Sequence, residues 1–243
     1  MNAVALVTGG TRRVGRAIAL ELARAGFDLI VTWRSDADGA RGVAAEVQAM
    51  GRACRAIELD LAAVREPAAV RAALALDRLD ALVLSAASWD ATPWGSVDAA
   101  SMAAALQVNA IAPVVLAQAM QPLLQASALA GGGSIVAIGD AHAADIPVRG
   151  FAAYLMSKAA LAQSVRQMAA EMAPAVRVNG VLPGVVEWPE AIDAARREAI
   201  LARIPLARAG EPADVARLVR FLCVEAPFMT GALVPVDGGR SIR

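Results

Sequence analysis

Short apolar, β-branched runs recur along this chain, separated by longer alanine- and leucine-rich stretches with helical periodicity. The strand-like runs fall at residues 3–8, 28–32, 54–59, 81–84, 134–138, 176–181 and 233–236. Helical patterns cover residues 14–25, 39–50, 64–76, 101–125, 151–172 and 213–223. Strands that read as continuous apolar runs are buried on both faces, which is the habit of parallel sheets. Strand–helix alternation from end to end implies right-handed crossovers and helices on both faces of a doubly wound α/β sheet. No repeat, low-complexity tract or Pro-, Gly- or Ser-rich linker divides the 243 residues, so one domain over residues 1–243 is expected.

Composition narrows the function. The 23 basic and 23 acidic side chains leave a formal charge of zero, which argues against nucleic acid or an anionic membrane as partner. Cys54 and Cys223 are too few for a disulfide framework and match no metal spacing. The opening MNAVALVTGG has no basic segment and no cleavage site, and no apolar run approaches the roughly 18 residues of a membrane span. A cytoplasmic protein acting on a small molecule is expected. With 58% hydrophobic and 19% charged residues, some apolar surface should end in a subunit interface.

The first strand runs into Thr8-Gly9-Gly10-Thr11-Arg12-Arg13-Val14-Gly15 and then a helix. A glycine turn there lets backbone N–H groups approach a pyrophosphate, and the helix dipole favours its charge. The same glycines would also serve a bare tight turn; their place at the first strand–helix junction of an alternating chain favours a dinucleotide. The second strand leads into Trp33-Arg34-Ser35, with Asp36 and Asp38 only afterwards. An acid at this point selects NAD, whereas a base and a hydroxyl suit a 2′-phosphate. NADPH is therefore the expected cofactor. Asp60-Leu61 after the third strand places a carboxylate for the adenine amino group, or equally a helix N-cap.

Tyr154 and Lys158 are four apart on a predicted helix, so they share one face. A free phenol ionises near ~10. An adjacent ammonium is expected to draw it toward working pH and make it an acid–base group. Tyr154 is the only tyrosine, so any phenolic acid is this one.

These motifs, with Arg177-Val178-Asn179-Gly180-Val181-Leu182-Pro183-Gly184 and Val236-Asp237-Gly238-Gly239, together resemble the short-chain dehydrogenase/reductase family over nearly the whole chain. The resemblance implies a Rossmann fold with a seven-stranded parallel sheet, hydride transfer at nicotinamide, and usually a homotetramer. It implies Tyr154 as proton donor, Lys158 as a ligand of the nicotinamide ribose, and Asn109 as the holder of a proton-relay water. Cofactor contacts would come from Gly9, Thr11, Arg12, Arg13 and Val14, from Trp33, Arg34 and Ser35, from Asp60 and Leu61, and from Ser85 and Ala86. Tyr154, Lys158, Pro183, Gly184 and Val185 complete that set.

Three departures point within the family. Arg13 replaces the usual middle glycine of the turn. Asp140 stands where the catalytic serine is usual, and Leu84-Ser85-Ala86-Ala87-Ser88-Trp89 replaces Asn-Asn-Ala-Gly. All three resemble the pteridine reductase and dihydromonapterin reductase branch, as do Trp188-Pro189-Glu190 and the closing Asp237-Gly238-Gly239-Arg240. That resemblance makes Arg13, Trp89, Asp140, Tyr154 and Trp188 the substrate residues, with Trp89 stacking a pterin. Ala87 departs from the branch, which often has a serine there.

Charge supplies a reason. A carboxylate ~4 Å from an alkoxide opposes it by about 4 kcal/mol at an effective dielectric near 20. A pterin instead offers amino and ring N–H donors, and reducing its C=N bond needs a proton on nitrogen. Asp140 and Tyr154 are expected to share that delivery, with burial raising the carboxyl pKa. Tyr154 follows Asp140 by fourteen residues where the family has thirteen, which places an extra residue in the loop around 143–146. His142, the sole histidine, reads either as a residue lining the pocket or, by preference, as a loop residue with no other role. An NADPH-dependent dihydropterin reductase leads; the alternatives are a general carbonyl or 3-oxoacyl reductase and a catalytically silent NADPH-binding protein.

Overall fold

The computed structural model of the protein describes residues 2–143, 146–188 and 192–242. Seven strands form one parallel sheet in the order β3-β2-β1-β4-β5-β6-β7. They are β1 (Val4–Val7), β2 (Asp28–Trp33), β3 (Cys54–Glu58), β4 (Ala81–Leu84), β5 (Gly133–Ile138), β6 (Val176–Pro183) and β7 (Leu233–Val236). Each expected strand is present, two with the expected bounds and the others with an end moved by one or two residues. β6 runs on to Pro183 because β7 pairs with it that far, Pro183 opposite Val236.

The helices are α1 (Arg13–Arg24), α2 (Ala37–Ala49), α3 (Pro67–Leu74), α4 (Ala99–Leu106), α5 (Ala112–Gln125), α6 (Ala152–Met172), α7 (Ala194–Leu201) and α8 (Pro212–Val224). Alternation along β1 assigns the two faces: Leu6 joins a core with Leu116, Met120 and Leu161, while Ala5 and Val7 join one with Ile18, Leu22 and Val219. The helices α3, α5 and α6 thus cover one face and α1 and α8 the other. β1 lies between β2 and β4, so the strand order reverses at its C-terminal end. Ligands of doubly wound sheets bind at such a switch point.

Three sequence readings need correction. The helix expected at 64–76 starts only at Pro67, which takes the first helical position, and stops where Ala75 turns left-handed at φ 45°. α7 was not anticipated: it buries no residue and so carries no apolar stripe, but Asp193 caps it by accepting from the Arg196 N–H. Finally, α4 and α5 join through a wide π turn at Gln107–Ile111 into one 27-residue helix. An 18-residue window of it has mean hydropathy 1.7, long and apolar enough by length and composition to cross a membrane. Scattered Gln and Asn break the apolar run in the sequence without adding charge. In the fold this helix packs on α3, α6 and β5.

Candidate active site

The site is assembled at the C-terminal ends of β1, β4, β5 and β6. The turn after β1 needs glycine where it was read: Gly9 has φ +63°, and a Cβ on Gly15 would lie 2.1 Å from the Gly9 carbonyl oxygen. Thr8 ties this turn to the end of β4. Its Oγ1 accepts from the Ser85 and Ala86 N–H groups at 2.9 and 3.1 Å. Arg13 opens α1 at φ 50°, a left-handed conformation costly for a side chain with a Cβ. Its guanidinium lies 3.6 Å from Glu187 in the loop after β6, and both residues are largely exposed.

A cleft of about 370 Å³ runs from this turn past β2 and β4 to β5 and α6. Every expected cofactor residue borders it except Val185, whose carbonyl instead accepts from the Gly210 N–H at 2.9 Å. Val186 and Glu187 line the cleft in its place. Arg34 and Ser35 are exposed at the lip. Asp36 is occupied otherwise: it caps α2 at the Gly39 N–H and accepts from the Thr11 hydroxyl at 2.9 Å. Asp60 borders the cleft and also caps the short turn Leu61–Ala63. The close approach of Gly9 to Ala86, where a Cβ would sit 3.0 Å away, keeps open a backbone-lined cradle that fits a dinucleotide pyrophosphate.

At the floor of the cleft lie Asp140, just beyond β5, and Tyr154 and Lys158 on α6. The Tyr154 hydroxyl donates to Asp140 Oδ2 at 2.8 Å. The fourteen-residue spacing therefore keeps the pair together. Ile146 N–H bonds back to the His142 carbonyl in the intervening loop, whose residues 144 and 145 lie outside those described. Lys158 is buried, donates to the Ile138 carbonyl at 2.7 Å, and has its Nζ 5.9 Å from the Tyr154 ring centre.

The electrostatics differ from the sequence expectation at both acids. Burial alone would push the Asp140 carboxyl up, but hydrogen bonds from the His142 ring and N–H and from Tyr154 outweigh it and hold the group below its ordinary value. Burial and the Asp140 charge push the Tyr154 phenol well above its ordinary value rather than toward neutrality. Burial also brings Lys158 down to about 8, with Asp140 acting in the opposite direction. The resting site at pH 7 is thus a carboxylate beside an un-ionised phenol, with Lys158 mostly an ammonium. In their shared hydrogen bond Tyr154 donates and Asp140 accepts.

Asn109 does not border the cleft, and its side chain bonds two neighbouring segments. Its amide donates to the Ser88 carbonyl at 3.0 Å and the Ser157 hydroxyl at 2.9 Å, while its oxygen accepts from the Ser88 N–H at 2.9 Å. It ties the loop after β4 to α6. Trp89 borders the cleft half-exposed and stacks on Phe151 with ring centres 4.7 Å apart. Trp188 is off the cleft, its ring 5.6 Å from the Arg197 guanidinium carbon; Pro189 and Glu190 lie outside the described residues. His142 was passed over, yet its Nδ1 and its N–H both sit 2.8 Å from Asp140 Oδ1. The available signal was the Asp-x-His spacing, since an aspartate commonly bonds the N–H two residues on. The charges of Asp140 and Asp237 also act on Arg240 in the closing turn.

Comparison with known proteins agrees with this arrangement. A family model described as enoyl-(acyl carrier protein) reductase matches residues 9–241. The chain belongs to the short-chain dehydrogenase/reductase family and is an oxidoreductase that uses a nicotinamide cofactor. It is 34% identical to an oxidoreductase of Mycobacterium tuberculosis, MT0954, over 97% of this chain and 91% of that one. It is 31% identical to the 3-oxoacyl-[acyl-carrier-protein] reductase FabG of Aggregatibacter actinomycetemcomitans, over 98% and 99%. Among solved structures, acetoin dehydrogenase YohF of Salmonella typhimurium is similar with a TM-score of 0.88 at 30% identity, covering 100% of this chain and 97% of that one.

Proposed function

We propose that this enzyme is an NADPH-dependent reductase of a dihydropterin, or of a similar flat nitrogen heterocycle with a C=N bond. The observation that carries the reading is the ionised Asp140 against the Tyr154 hydroxyl. A carboxylate there disfavours a ketone, whose oxygen gains negative charge as it is reduced. It favours a substrate that presents N–H donors. Bound NADPH supplies the hydride. Trp89 offers a face for the flat ring, Asp140 accepts from the substrate's N–H groups, and Tyr154 delivers its proton to the substrate nitrogen. Lys158 then balances charge left on the phenol oxygen. Exposed Arg34, with Ser35 beside it, suits a 2′-phosphate, whereas Asp36 is engaged by Thr11 and the α2 N-terminus.

A second reading, a carbonyl or 3-oxoacyl reductase, draws on the relatives named above. NADPH oxidation against a panel of dihydropterins, quinones and β-ketoesters separates the two. The pterin reading expects turnover of dihydropterins with NADPH well ahead of NADH; turnover of ketoesters alone overturns it. We also propose that the enzyme works in the cytoplasm as a homotetramer, with exposed Ile111 in the π turn, Val114 on α5 and Met156 on α6 covered by other copies. A monomer by light scattering at micromolar concentration contradicts that assembly.

A further inference from the structure

His142 stands just outside the cofactor cleft and holds the part of the site that the cleft residues do not. Its ring Nδ1 and its backbone N–H converge on one oxygen of Asp140, Oδ1, each at 2.8 Å. A carboxylate oxygen only accepts, so Nδ1 carries hydrogen. The other oxygen, Oδ2, takes the Tyr154 hydroxyl. Three donors therefore fix one carboxylate, and two of the three belong to His142.

The opposite edge of the ring makes the arrangement costly. Nε2 is buried and has no hydrogen-bond partner among the described residues, and the ring otherwise borders an apolar cavity beside Ile146, Pro147 and Leu155. A histidine serving only to fill a loop would turn a polar edge to water. This one keeps Nδ1 on Asp140 and leaves Nε2 without a partner among the described residues. The charged and titratable groups around the pair are Arg149 in the same loop, Tyr154 and Lys158 on α6, and Arg240 in the closing turn.

We propose that His142 is a positioning residue of the reductase: it locks the Asp140 carboxylate with Oδ2 facing the Tyr154 hydroxyl and Oδ1 turned away from the cleft. The proposal rests on the reductase reading for its kinetic test and on geometry alone for its structural one. Without the imidazole, Oδ1 keeps only the residue-142 backbone N–H, and the ring no longer helps to offset the burial of the carboxylate. Asp140 then takes up a proton at higher pH, and the donor pair is mis-set.

The kinetic test uses NADPH oxidation with 7,8-dihydropterin as probe. His142→Ala is expected to lower kcat about 10- to 100-fold, the scale of losing an outer-shell hydrogen-bond partner, with NADPH affinity unchanged. The acid limb of its kcat–pH profile moves up by about one unit. His142→Asn puts an amide N–H near the place of Nδ1 and restores both. In an Asp140→Asn background, His142→Ala adds no further loss, because the partner it positions has been neutralised. A His142→Ala enzyme with wild-type kcat and profile overturns the proposal, as does an asparagine variant no better than alanine. Should the alanine protein not fold, His142→Gln, which carries its amide past Oδ1, replaces it with the same expectation.

A second measurement needs no substrate. His142 is the sole histidine, so one imidazole gives the whole proton and nitrogen signal by NMR. A hydrogen-bonded Nδ1–H resonance that disappears in Asp140→Leu supports the proposal; its absence from the unaltered protein overturns it. If dihydropterin is not turned over, the substrate reading fails while this measurement still decides the role of His142.

Discussion

Tyr154 donates its hydroxyl hydrogen to Asp140 across 2.8 Å, in a site where burial and the Asp140 charge keep the phenol un-ionised while His142, and then Tyr154, hold the carboxyl low. On the proposed mechanism the phenol is the acid and the carboxylate the anion beside it, so the proton consumed in reduction has one source.

Tyr154→Phe removes that source and keeps the buried ring. A positioned acid contributes roughly 10²–10⁴-fold, so kcat with NADPH is expected to fall by that factor while cofactor affinity measured by fluorescence stays level. Undiminished turnover in the phenylalanine variant assigns the proton to another group.

Asp140→Asn keeps an acceptor for the Tyr154 hydroxyl but removes the charge. The phenol is held high first by burial and then by the Asp140 charge. Removing the charge lets the phenol ionise at lower pH, so the basic limb of the kcat–pH profile should move down. Dihydropterin turnover should drop at the same time. A profile unmoved on the basic side means that this limb does not report Tyr154.

Arg34 is exposed at the cleft lip and has no ion-pair partner among the described residues. Hydrogen bonds to charged groups contribute about 1.5–3 kcal/mol, or roughly 10- to 100-fold in affinity. Arg34→Ala is expected to weaken NADPH binding by that factor and leave NADH binding unchanged. Isothermal titration with both cofactors reads the ratio directly; an equal loss for both removes the basis for NADPH preference.

Asp80, fully buried before β4, accepts from the Val4 N–H at 2.9 Å, the Ser127 hydroxyl at 2.7 Å and Arg78 at 3.0 Å. Burial works to raise its pKa, but these bonds outweigh it and the net shift is downward. A carboxylate depressed in the fold stabilises it above the unfolded pKa, and that stability is lost as pH falls through the folded value. Asp80→Asn should cost about 1–3 kcal/mol at neutral pH and flatten the fall in melting temperature on acidification. An unchanged slope shows that other carboxylates govern acid unfolding.

The sheet was legible because each buried strand is an apolar run and each crossover an apolar helix. Gly9 and Gly15 marked the turn, and the four-residue step from Tyr154 to Lys158 placed both on one helix face. What escaped depends on contacts distant in sequence. The phenol was expected to be lowered by Lys158, but Asp140 and burial act more strongly on it, and the lysine is itself desolvated. Asn109 carries no mark in the sequence of its engagement by Ser88 and Ser157. The run at 176–184 is better explained by structure than by chemistry: Arg177 donates to the Leu222, Cys223 and Ala226 carbonyls at the end of α8, and Asn179 to that of Met229. α7 had no stripe to read, since none of its residues is buried.

The left-handed backbone at Arg13 carries an implication for engineering. Arginine is a poor occupant of that conformation and glycine a good one, so Arg13→Gly should raise the melting temperature by relieving local strain. The same exchange would remove the Arg13–Glu187 pair and a side chain that lines the cleft. A hardier protein with a slacker grip on its ligands is the expected product, and selection for heat resistance alone would drift toward it.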